Sequence, residues 1–343
     1  MKNTDLPETQ AKTGVIVIGR NEGLNIKYCL SALEQFNDIE IIYVDSGSTD
    51  GSLEYVTSIG IPVHKLDPVR PFSAARARRE GVNILLDKCP EIEYIQFVDG
   101  DCEMSINWID TAKSFLNNNK SVSIVCGVLR EKEPESSIYN WLSSFQWNMP
   151  LGEINACGGL FMIRVNSYVE AGGFNEKLIT REEKDLCDRI RAKGDKIVRI
   201  CEEMALHDSG LLYFNQWWKR AIWGGYGDAL HISTNRKDLN IEHLNRIRRY
   251  LTWPFALPLI ALFGIIGMIW YPALLILPLF ILILYNLLFL KITIGRIRIG
   301  ESLKSAILYS FFRILRKFAT GYGFLKYFVQ YEHHSKRPDP HTI

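Results

Sequence analysis

The stretch Tyr94-Ile-Gln-Phe-Val-Asp-Gly-Asp101 decides the fold class, because it is a mostly apolar run that ends in two carboxylates. Such a run is typical of a strand buried on both faces of a parallel sheet. Asp99 and Asp101 repel each other unless a cation lies between them, and carboxylate oxygens are preferred ligands of Mg²⁺ and Mn²⁺. The stretch therefore predicts a buried strand with a divalent-metal site at its carboxyl end.

Apolar runs of the same kind alternate with helical patterns through the first 240 residues. The predicted strands are Val15–Gly19, Glu40–Val44, Tyr94–Val98 and Val122–Cys126, and the predicted helices are Leu24–Phe36, Phe72–Leu86 and Ile106–Leu116. This alternation predicts an α/β fold, with a mostly parallel sheet covered by helices on both faces. In such sheets ligands bind beyond the carboxyl ends of the strands, so the residues that follow each strand are the candidate site.

Two further strand ends carry polar side chains. Gly19-Arg20-Asn21-Glu22 follows the first predicted strand, and Asp45-Ser-Gly-Ser-Thr-Asp-Gly-Ser52 follows the second. Asp, Ser and Gly are also common turn and helix-capping residues, so turn chemistry is the alternative explanation for the second loop.

The chain changes character after Arg249. Tyr250 to Leu290 contains no Asp, Glu, Lys, Arg or His, and this length is about twice the roughly 20 residues that one transmembrane helix needs. Proline favours the first turn of a helix, and Trp and Tyr favour the headgroup layer, so Trp270-Tyr-Pro272 predicts a hairpin between two spans, 250–270 and 272–290. The alternative is a buried helical pair in a soluble protein.

The distribution of charge predicts the orientation of these spans. From Ile241 onward the net charge is +9, against −7 for residues 1–240, and the basic residues flank the two spans rather than the hairpin. The positive-inside rule then places both flanks in the cytoplasm. We expect a multi-pass protein of the cytoplasmic (inner) membrane whose catalytic domain faces the cytoplasm, as also favoured by the polar first fourteen residues and the widely spaced cysteines. An acidic front part disfavours nucleic-acid binding.

The sequence divides into five predicted segments. They are a disordered N-terminus (1–13), an α/β domain (14–235), a basic juxtamembrane linker (236–249), two transmembrane helices (250–290), and a cytoplasmic amphipathic helix with a tail (291–343). Apolar residues between Leu303 and Phe318 recur every three or four positions with basic residues among them, which predicts a helix on the anionic leaflet. Packing of this helix on the catalytic domain is the alternative.

At this point the sequence resembles family 2 glycosyltransferases of the GT-A fold. Seven segments occur in the family's order: Val15–Glu22, Val44–Gly51, Ala77–Gly81, Asp99–Asp101, Gly158–Arg164, Gly172–Phe174 and Arg181–Leu186. Ser46 stands where the family usually has Asp, Arg79 replaces its Asn, and Arg181 replaces its Gly. The resemblance implies a GT-A domain over about residues 14–230.

The resemblance also implies roles for individual residues. Arg20, Asn21, Glu22 and Asp45 would surround the nucleotide base and ribose, and Arg78 would face the diphosphate. Asp99 would serve both the nucleotide and the metal, and Asp101 and His207 would complete the metal site. A solvated basic helix is the alternative for Arg78, and a surface or packing role is the alternative for His207.

The catalytic base is predicted from the acidic cluster Glu182, Glu183 and Asp185. Neighbouring carboxylates raise one another's pKa, which suits a base that works near neutral pH. The family's base position holds Glu183, with Asp185 as second choice, and Glu182 lies on the acceptor or diphosphate side. A helix N-terminus also favours acidic residues, so a capping role is the alternative.

Trp217, Trp218 and Arg220 are predicted on the acceptor or diphosphate side, where the tryptophans would stack a sugar or seat the domain at the membrane. The overall prediction is an inverting, Mg²⁺- or Mn²⁺-dependent enzyme that moves a sugar from a nucleotide-diphosphate donor, with UDP favoured, to a lipid-linked saccharide in envelope or exopolysaccharide synthesis. The alternatives are transfer to polyprenyl phosphate, processive polymerisation, a nucleotidyltransferase, and a non-catalytic membrane scaffold.

Overall fold

The computed structural model describes residues 12–147, 149–234 and 241–333. The predicted disordered N-terminus lies mostly outside these residues, although Lys12 and Thr13 already belong to the first strand. The last residue of the predicted α/β domain, 235, part of the predicted linker, 236–240, and the tail from 334 also lie outside them. The chain divides into two compact units between Leu212 and Tyr213.

The first unit is built on a nine-stranded mixed sheet with strand order β3-β2-β1-β4-β8-β6-β9-β5, and β7 pairs with β9. The strands are β1 Lys12–Gly19, β2 Ile39–Asp45, β3 Val63–Lys65, β4 Ile92–Asp99, β5 Cys102–Met104, β6 Val122–Glu131, β7 Gly152–Glu153, β8 Phe161–Arg164 and β9 Lys196–His207. All four strands that the sequence predicts are present. They form because their apolar side chains are buried on both faces, as in Val15 to Val17, which have no exposed surface.

The sheet is parallel only in part. Strands β3, β2, β1 and β4 run parallel, but β8 enters antiparallel between β4 and β6. Strand β8 is only four residues long, too short to give a periodic sequence signal, and this explains why it was not predicted.

Helices cover this sheet. They are α1 Asn25–Leu33, α2 Ser52–Ser58, α3 Ala74–Lys88, α4 Trp108–Asn118, α5 Ile138–Ser144, α6 Val165–Glu170 and α7 Glu182–Arg191, with a 3₁₀ turn at Phe145–Trp147. Helix α3 begins where the Ser73 hydroxyl accepts a hydrogen bond from the Arg76 N–H. The predicted helices correspond to α1, α3 and α4.

The second unit is helical. Its helices are α8 Phe214–Thr234, α9 Ile241–Leu251, α10 Leu257–Gly267, α11 Ile276–Arg298 and α12 Leu303–His333; Thr252–Ala256 is a π-helical turn and Pro272–Leu275 a 3₁₀ turn. Pro254 cannot donate an amide hydrogen, which explains why the helical hydrogen bonding changes there.

Two helical segments, His243–Gly267 and Pro272–Arg298, are long and apolar enough to cross a membrane. Few of their residues are buried within the described chain, unlike the core helices of a soluble protein. Trp270 and Tyr271 at the hairpin are 69% and 71% exposed. The predicted hairpin of two apolar helices is therefore present.

Unit boundaries differ from the predicted segments at one place. The sequence assigns residues up to 235 to the α/β domain, whereas α8 belongs to the second unit, because it packs along α12. Helix α12 packs on α8 and α11, all within the second unit.

Candidate active site

The register of the sheet brings three polar strand ends to one edge. Gly19 at the end of β1 lies opposite Asp45 at the end of β2, and Ile18 lies opposite Asp99 at the end of β4. The Gly100 N–H donates to the Ile18 carbonyl at 2.8 Å, which fixes the turn that carries Asp101. These chain ends form the edge at which ligands bind in parallel sheets.

The loops after β1 and β2 are joined by hydrogen bonds. Asn21 adopts a left-handed backbone conformation with φ of 57°, and its side-chain oxygen accepts a hydrogen bond from the Thr49 N–H at 2.7 Å. The Asn21 N–H donates to the Ser48 hydroxyl at 3.0 Å. The Arg20 guanidinium lies 5.2 Å from the centre of the Phe72 ring.

Asp45 is buried and organises the second loop. One of its oxygens accepts hydrogen bonds from the N–H groups of Gly47 at 2.8 Å and Ser48 at 2.9 Å, and the other from the Tyr43 hydroxyl at 3.3 Å. Turn chemistry, the alternative raised from the sequence, is therefore present at Asp45. Its role in binding a nucleotide base stays a prediction.

Asp101 and His207, two of the three predicted metal ligands, lie together, whereas the third, Asp99, pairs with Arg78. The Asp101 Oδ2 and His207 Nε2 atoms lie 3.3 Å apart, and the Cys102 thiol lies within the same cluster. Two ligands at about 2.1 Å from an ion, on adjacent corners of an octahedron, lie about 3 Å apart, so a carboxylate oxygen and an imidazole nitrogen at this spacing fit Mg²⁺ or Mn²⁺.

Glu131 completes this cluster and was missed by the sequence analysis. Sheet register places Cys102, His207 and Glu131 side by side on β5, β9 and β6. The Glu131 side chain has no exposed surface, and its Oε2 lies 3.5 Å from His207 Nδ1. Ser209 donates to Glu131 through its N–H at 2.7 Å and its hydroxyl at 2.6 Å. A carboxylate behind a ligating imidazole orients the ring.

Charge is balanced tightly around His207. Burial alone would lower the pKa of His207, but the hydrogen bonds with Asp101 and Glu131 outweigh burial and raise it to about 9. Burial alone would raise the pKa of Glu131, and the bonds with His207 and Ser209 hold it below its usual value. The His207 ring therefore lies between two carboxylates, Asp101 and Glu131.

Arg78 forms a buried ion-pair network with two carboxylates. The residue is 3% exposed, and its guanidinium donates to Asp99 Oδ1 and to Glu182 Oε1, each at 2.7 Å. The solvated-helix alternative is wrong for this residue. Arg78 ties the end of β4 to the start of α7, whereas direct contact with a diphosphate stays a prediction.

Gly159 allows this ion pair to form. A Cβ atom at this position would lie 2.5 Å from Arg78 Nη2 and 2.9 Å from Asp99 Oδ2. The Gly-Gly pair at 158–159 was recognised in the sequence as part of the family pattern, and the structure supplies its steric reason at the second glycine.

Arg79 has a local structural role. Its Nη1 donates to the carbonyls of Gly172 at 3.0 Å and Phe174 at 2.7 Å. The Arg79 side chain thus stabilises the Gly172–Phe174 turn. This explains a structural role for arginine at a position where the family usually has asparagine.

Glu183 lies at the start of α7 and is half-buried. Burial, and secondarily the charge of Glu182, raise the pKa of Glu183 to about 8. Asp185, in contrast, accepts two hydrogen bonds from Arg189, at 3.0 Å and 2.6 Å. The Asp185 carboxylate is therefore already engaged by Arg189, and the choice of Glu183 as the base stays a prediction.

Arg181 starts α7 with a left-handed backbone, φ of 62°, at the position where the family has glycine. This conformation is costly for a residue with a Cβ atom. Helix α7 therefore begins with a left-handed arginine, a conformation that glycine adopts without strain.

Glu22 faces the aspartates of the metal motif. Burial, followed by the charge of Asp101, raises the pKa of Glu22 to about 7. Its Oε1 accepts a hydrogen bond from the Arg20 N–H at 3.1 Å, and its Cγ occupies the space that a Cβ at Gly100 would need. Glu22 thus belongs to the same acidic group as Asp99 and Asp101.

Trp217, Trp218 and Arg220 lie on α8 in the second unit. Trp217 is buried and its ring lies 5.3 Å from that of Phe312, and Trp218 stacks on Phe214 at 5.5 Å. These tryptophans have packing roles within the second unit; sugar stacking stays a prediction.

Comparison with known proteins agrees with this arrangement. Residues 14–178 match the model described as Glycosyl transferase family 2. No match was found among curated proteins. The mannosyltransferase PcManGT from Pyrobaculum calidifontis, solved in complex with GDP-Man and Mn²⁺, is similar in structure at 16% identity, with a TM-score of 0.56 over 92% of this chain and 88% of its own.

Two other solved structures are less similar. TarS from S. aureus is 16% identical with a TM-score of 0.46 over 72% of this chain, which spans about half (49%) of the TarS chain. Glucosyl-3-phosphoglycerate synthase from Mycobacterium tuberculosis, in complex with Mn²⁺, UDP and glucosyl-3-phosphoglycerate, is 18% identical with a TM-score of 0.45 over 65% of this chain and 79% of its own.

The family match covers the strand ends from Arg20 to Asp101 and ends before Glu182 and His207. The likeness to PcManGT shows a shared fold. Fold, motif order and strand-end geometry agree with the resemblance seen in the sequence. Residues 14–178 are therefore similar to family 2 glycosyltransferases in sequence pattern and in strand-end geometry.

Proposed function

We propose that this protein is an inverting glycosyltransferase that moves a sugar from a nucleotide-diphosphate donor to a lipid-linked saccharide in envelope or exopolysaccharide synthesis. The observation that carries the proposal is the single acidic group formed by Glu22, Asp99 and Asp101 at the carboxyl edge of the sheet, with His207 against Asp101. PcManGT, which shares the fold, was solved with GDP-Man and Mn²⁺, and this supports a nucleotide-sugar and a divalent ion as partners.

Asp101 and His207 would hold the divalent ion, Mg²⁺ or Mn²⁺. When bound, the ion neutralises the negative charge that develops on the departing diphosphate. Glu131 holds the far side of the His207 ring through Nδ1, so the Nε2 atom is directed at Asp101. The protein thus prepares one oxygen and one nitrogen ligand in a fixed relation.

Glu183 is the proposed base. It accepts the proton of the acceptor hydroxyl while that oxygen forms a bond to the anomeric carbon; the bond from that carbon to the diphosphate breaks, and the nucleotide diphosphate leaves with the electron pair. A pKa of about 8 suits proton transfer near neutral pH. Arg78, bound to Glu182, places a cation beside the base without occupying it.

Membrane attachment is proposed through His243–Gly267 and Pro272–Arg298. Basic residues on both flanks favour a multi-pass arrangement in the cytoplasmic membrane with the glycosyltransferase domain facing the cytoplasm. A protein attached in this way meets lipid-linked acceptors at the membrane surface, which is why such an acceptor is preferred over a soluble one.

A donor screen tests the proposal. The expected preference for UDP rests on Asp45. Because the Asp45 oxygens already accept hydrogen bonds from the loop and from Tyr43, the screen compares UDP-, GDP- and dTDP-sugars under the same conditions. A true donor at a hundredfold excess over its Kd stabilises the protein by roughly 2.7 kcal/mol in the presence of Mn²⁺. NMR of the product from that donor should show an inverted anomeric configuration. Equal melting temperatures with and without every donor would contradict the proposal and favour a non-catalytic scaffold.

A further inference from the structure

The second unit carries many more cations than described carboxylates. Only Asp228 and Glu301 have described acidic side chains there, and both are already engaged: Asp228 by Arg246 and the Tyr250 hydroxyl, Glu301 by Arg296. The remaining cations of this unit find no carboxylate partner among the described residues.

Five of these cations lie on three helices, and one of the three, α12, packs against the other two. They are Arg220 on α8, Arg249 on α9, and Arg313, Arg316 and Lys317 on α12, and we call them the five-cation cluster. Burial, and then the charges of Arg313 and Arg220, lower the pKa of Arg316. Burial, and then Arg313 and Arg249, lower the pKa of Lys317. Arg316 and Lys317 are only partly exposed, whereas their neighbours Arg249 and Arg313 are exposed, so two of the like charges are partly withdrawn from bulk water.

The packing of α8 against α12 fixes the backbones that carry four of these cations. A Cβ atom at Gly225 on α8 would overlap the Thr320 carbonyl of α12, and one at Gly323 would overlap the Ile222 carbonyl. The backbones of α8 and α12 therefore touch within about one turn of Arg220 and Arg316, and the Trp217 and Phe312 rings pack beside them. Such an arrangement costs free energy unless an anion offsets the repulsion.

We propose that the five-cation cluster binds the phosphate or diphosphate group of a polyprenyl-type lipid carrier, which is the carrier of the acceptor. Guanidinium groups match phosphate oxygens in pairs and hold them more strongly than neutral donors do. This proposal rests on the proposed function, because it names the chemical class of the acceptor for that reaction.

The structure favours a lipid as the source of the phosphate. Four residues separate the end of α11 from the start of α12, and α11 belongs to the second membrane-capable segment. The Thr293 hydroxyl of α11 donates to the Ser310 hydroxyl of α12 at 2.9 Å, one turn before Arg313. The Lys317 Nζ atom lies 5.7 Å from the Trp253 ring in the other segment. The cluster thus lies where both membrane-capable segments meet α12.

The test measures lipid binding by the full chain in nanodiscs without any donor. The probes are undecaprenyl phosphate at low mole fraction in phosphatidylcholine, phosphatidylglycerol at the same mole fraction, and free inorganic pyrophosphate. We expect saturable binding of undecaprenyl phosphate, and Arg316→Gln to weaken it about tenfold or more, because a charge-assisted hydrogen bond is lost. Arg298→Gln, the same change at an exposed cation at the end of α11, is the matched control and should leave it unchanged.

A stability measurement separates loss of binding from misfolding. Because Arg316 repels its neighbours, Arg316→Gln should raise the melting temperature in phosphatidylcholine alone, while abolishing the further rise that undecaprenyl phosphate gives to the unaltered protein. A folding defect would lower both.

Three results would overturn the proposal: equal affinity of Arg316→Gln and the unaltered protein, equal binding of phosphatidylglycerol, or complete displacement by pyrophosphate at the same concentration. The second would assign the cluster to bulk anionic lipid, and the third to free phosphate. Nucleotide-sugar binding is measured on the same preparations. If the unaltered protein does not bind a nucleotide-sugar, the proposed function is contradicted, whereas the lipid-binding result can still be interpreted.

Discussion

Replacing Glu183 by glutamine should inactivate the protein and stabilise it at the same time. The structure places this carboxyl in a half-buried position beside Glu182, which raises its pKa to about 8 from an ordinary value near 4.5. Because the unfolded chain has the lower pKa, it loses its proton first as the pH rises. The folded state is therefore destabilised progressively between about pH 4.5 and pH 8.

The size of the effect follows from the pKa. Each change of 1 in pKa corresponds to about 1.4 kcal/mol, so the full difference has an upper limit of about 5 kcal/mol once Glu183 is ionised. Solvent screening at a half-buried site reduces this, and we expect about 2–3 kcal/mol at pH 9. Glu183→Gln carries no such charge, so its advantage over the unaltered protein should be near zero at pH 4 and grow with pH.

The assay is urea unfolding of the full chain in detergent, followed by tryptophan fluorescence from pH 4 to 9, together with sugar transfer measured at pH 8. We expect transfer to fall about 10²- to 10⁴-fold, as on loss of a general base. Asp185→Asn is the matched control: it breaks the contact with Arg189 and should lower stability while retaining most of the transfer. Identical unfolding curves for Glu183→Gln and the unaltered protein across this pH range would refute the reasoning, as would retention of most of the transfer.

Three further changes test other parts of the site. Glu131→Gln should weaken Mn²⁺ binding about 10- to 100-fold by calorimetry, because His207 loses the carboxylate that orients it; unchanged affinity would remove Glu131 from the metal site. Arg181→Gly should raise the free energy of unfolding by about 1 kcal/mol, since glycine adopts the left-handed backbone without strain; a loss of stability would mean that the arginine side chain matters more. Gly159→Ala should cost about 1–3 kcal/mol and most of the activity by displacing Arg78, and full activity would show that the ion pair can shift without consequence.

The part of the fold predicted from the sequence is the part with continuous apolar runs. β1, β2, β4 and β6 are long and buried on both faces, so each leaves an unbroken signal. β9 was missed because Glu202 and Glu203 interrupt it, and both side chains are exposed on the strand. Only the first half of α12 was predicted. The helix continues to His333, but its second half has no simple periodic pattern, because glycines there allow close contact with α8 and with the π-helical turn.

The residues of the candidate site also fall into those that could be predicted from the sequence and those that could not. Asp99 and Asp101 could be singled out because they follow a recognisable strand. Glu131 could not be singled out, because it lies at the end of a different strand. It meets His207, 76 residues later in the chain, only because β6 pairs with β9. Arg78 was recognised as important, but its partners Asp99 and Glu182 come from separate elements, so their contact required the structure.

Mn²⁺ binding by the unaltered protein and by Asp101→Asn tests the central claim most directly. Electron paramagnetic resonance measures the free Mn²⁺. The same Mn²⁺ titration is carried out on three further variants, Asp99→Asn, His207→Gln and Arg298→Gln. The account predicts saturable binding that tightens with the nucleotide diphosphate, is lost in Asp101→Asn and His207→Gln, and is unaffected by Arg298→Gln. Equal Mn²⁺ affinity of Asp101→Asn and the unaltered protein, with the diphosphate present, would contradict it.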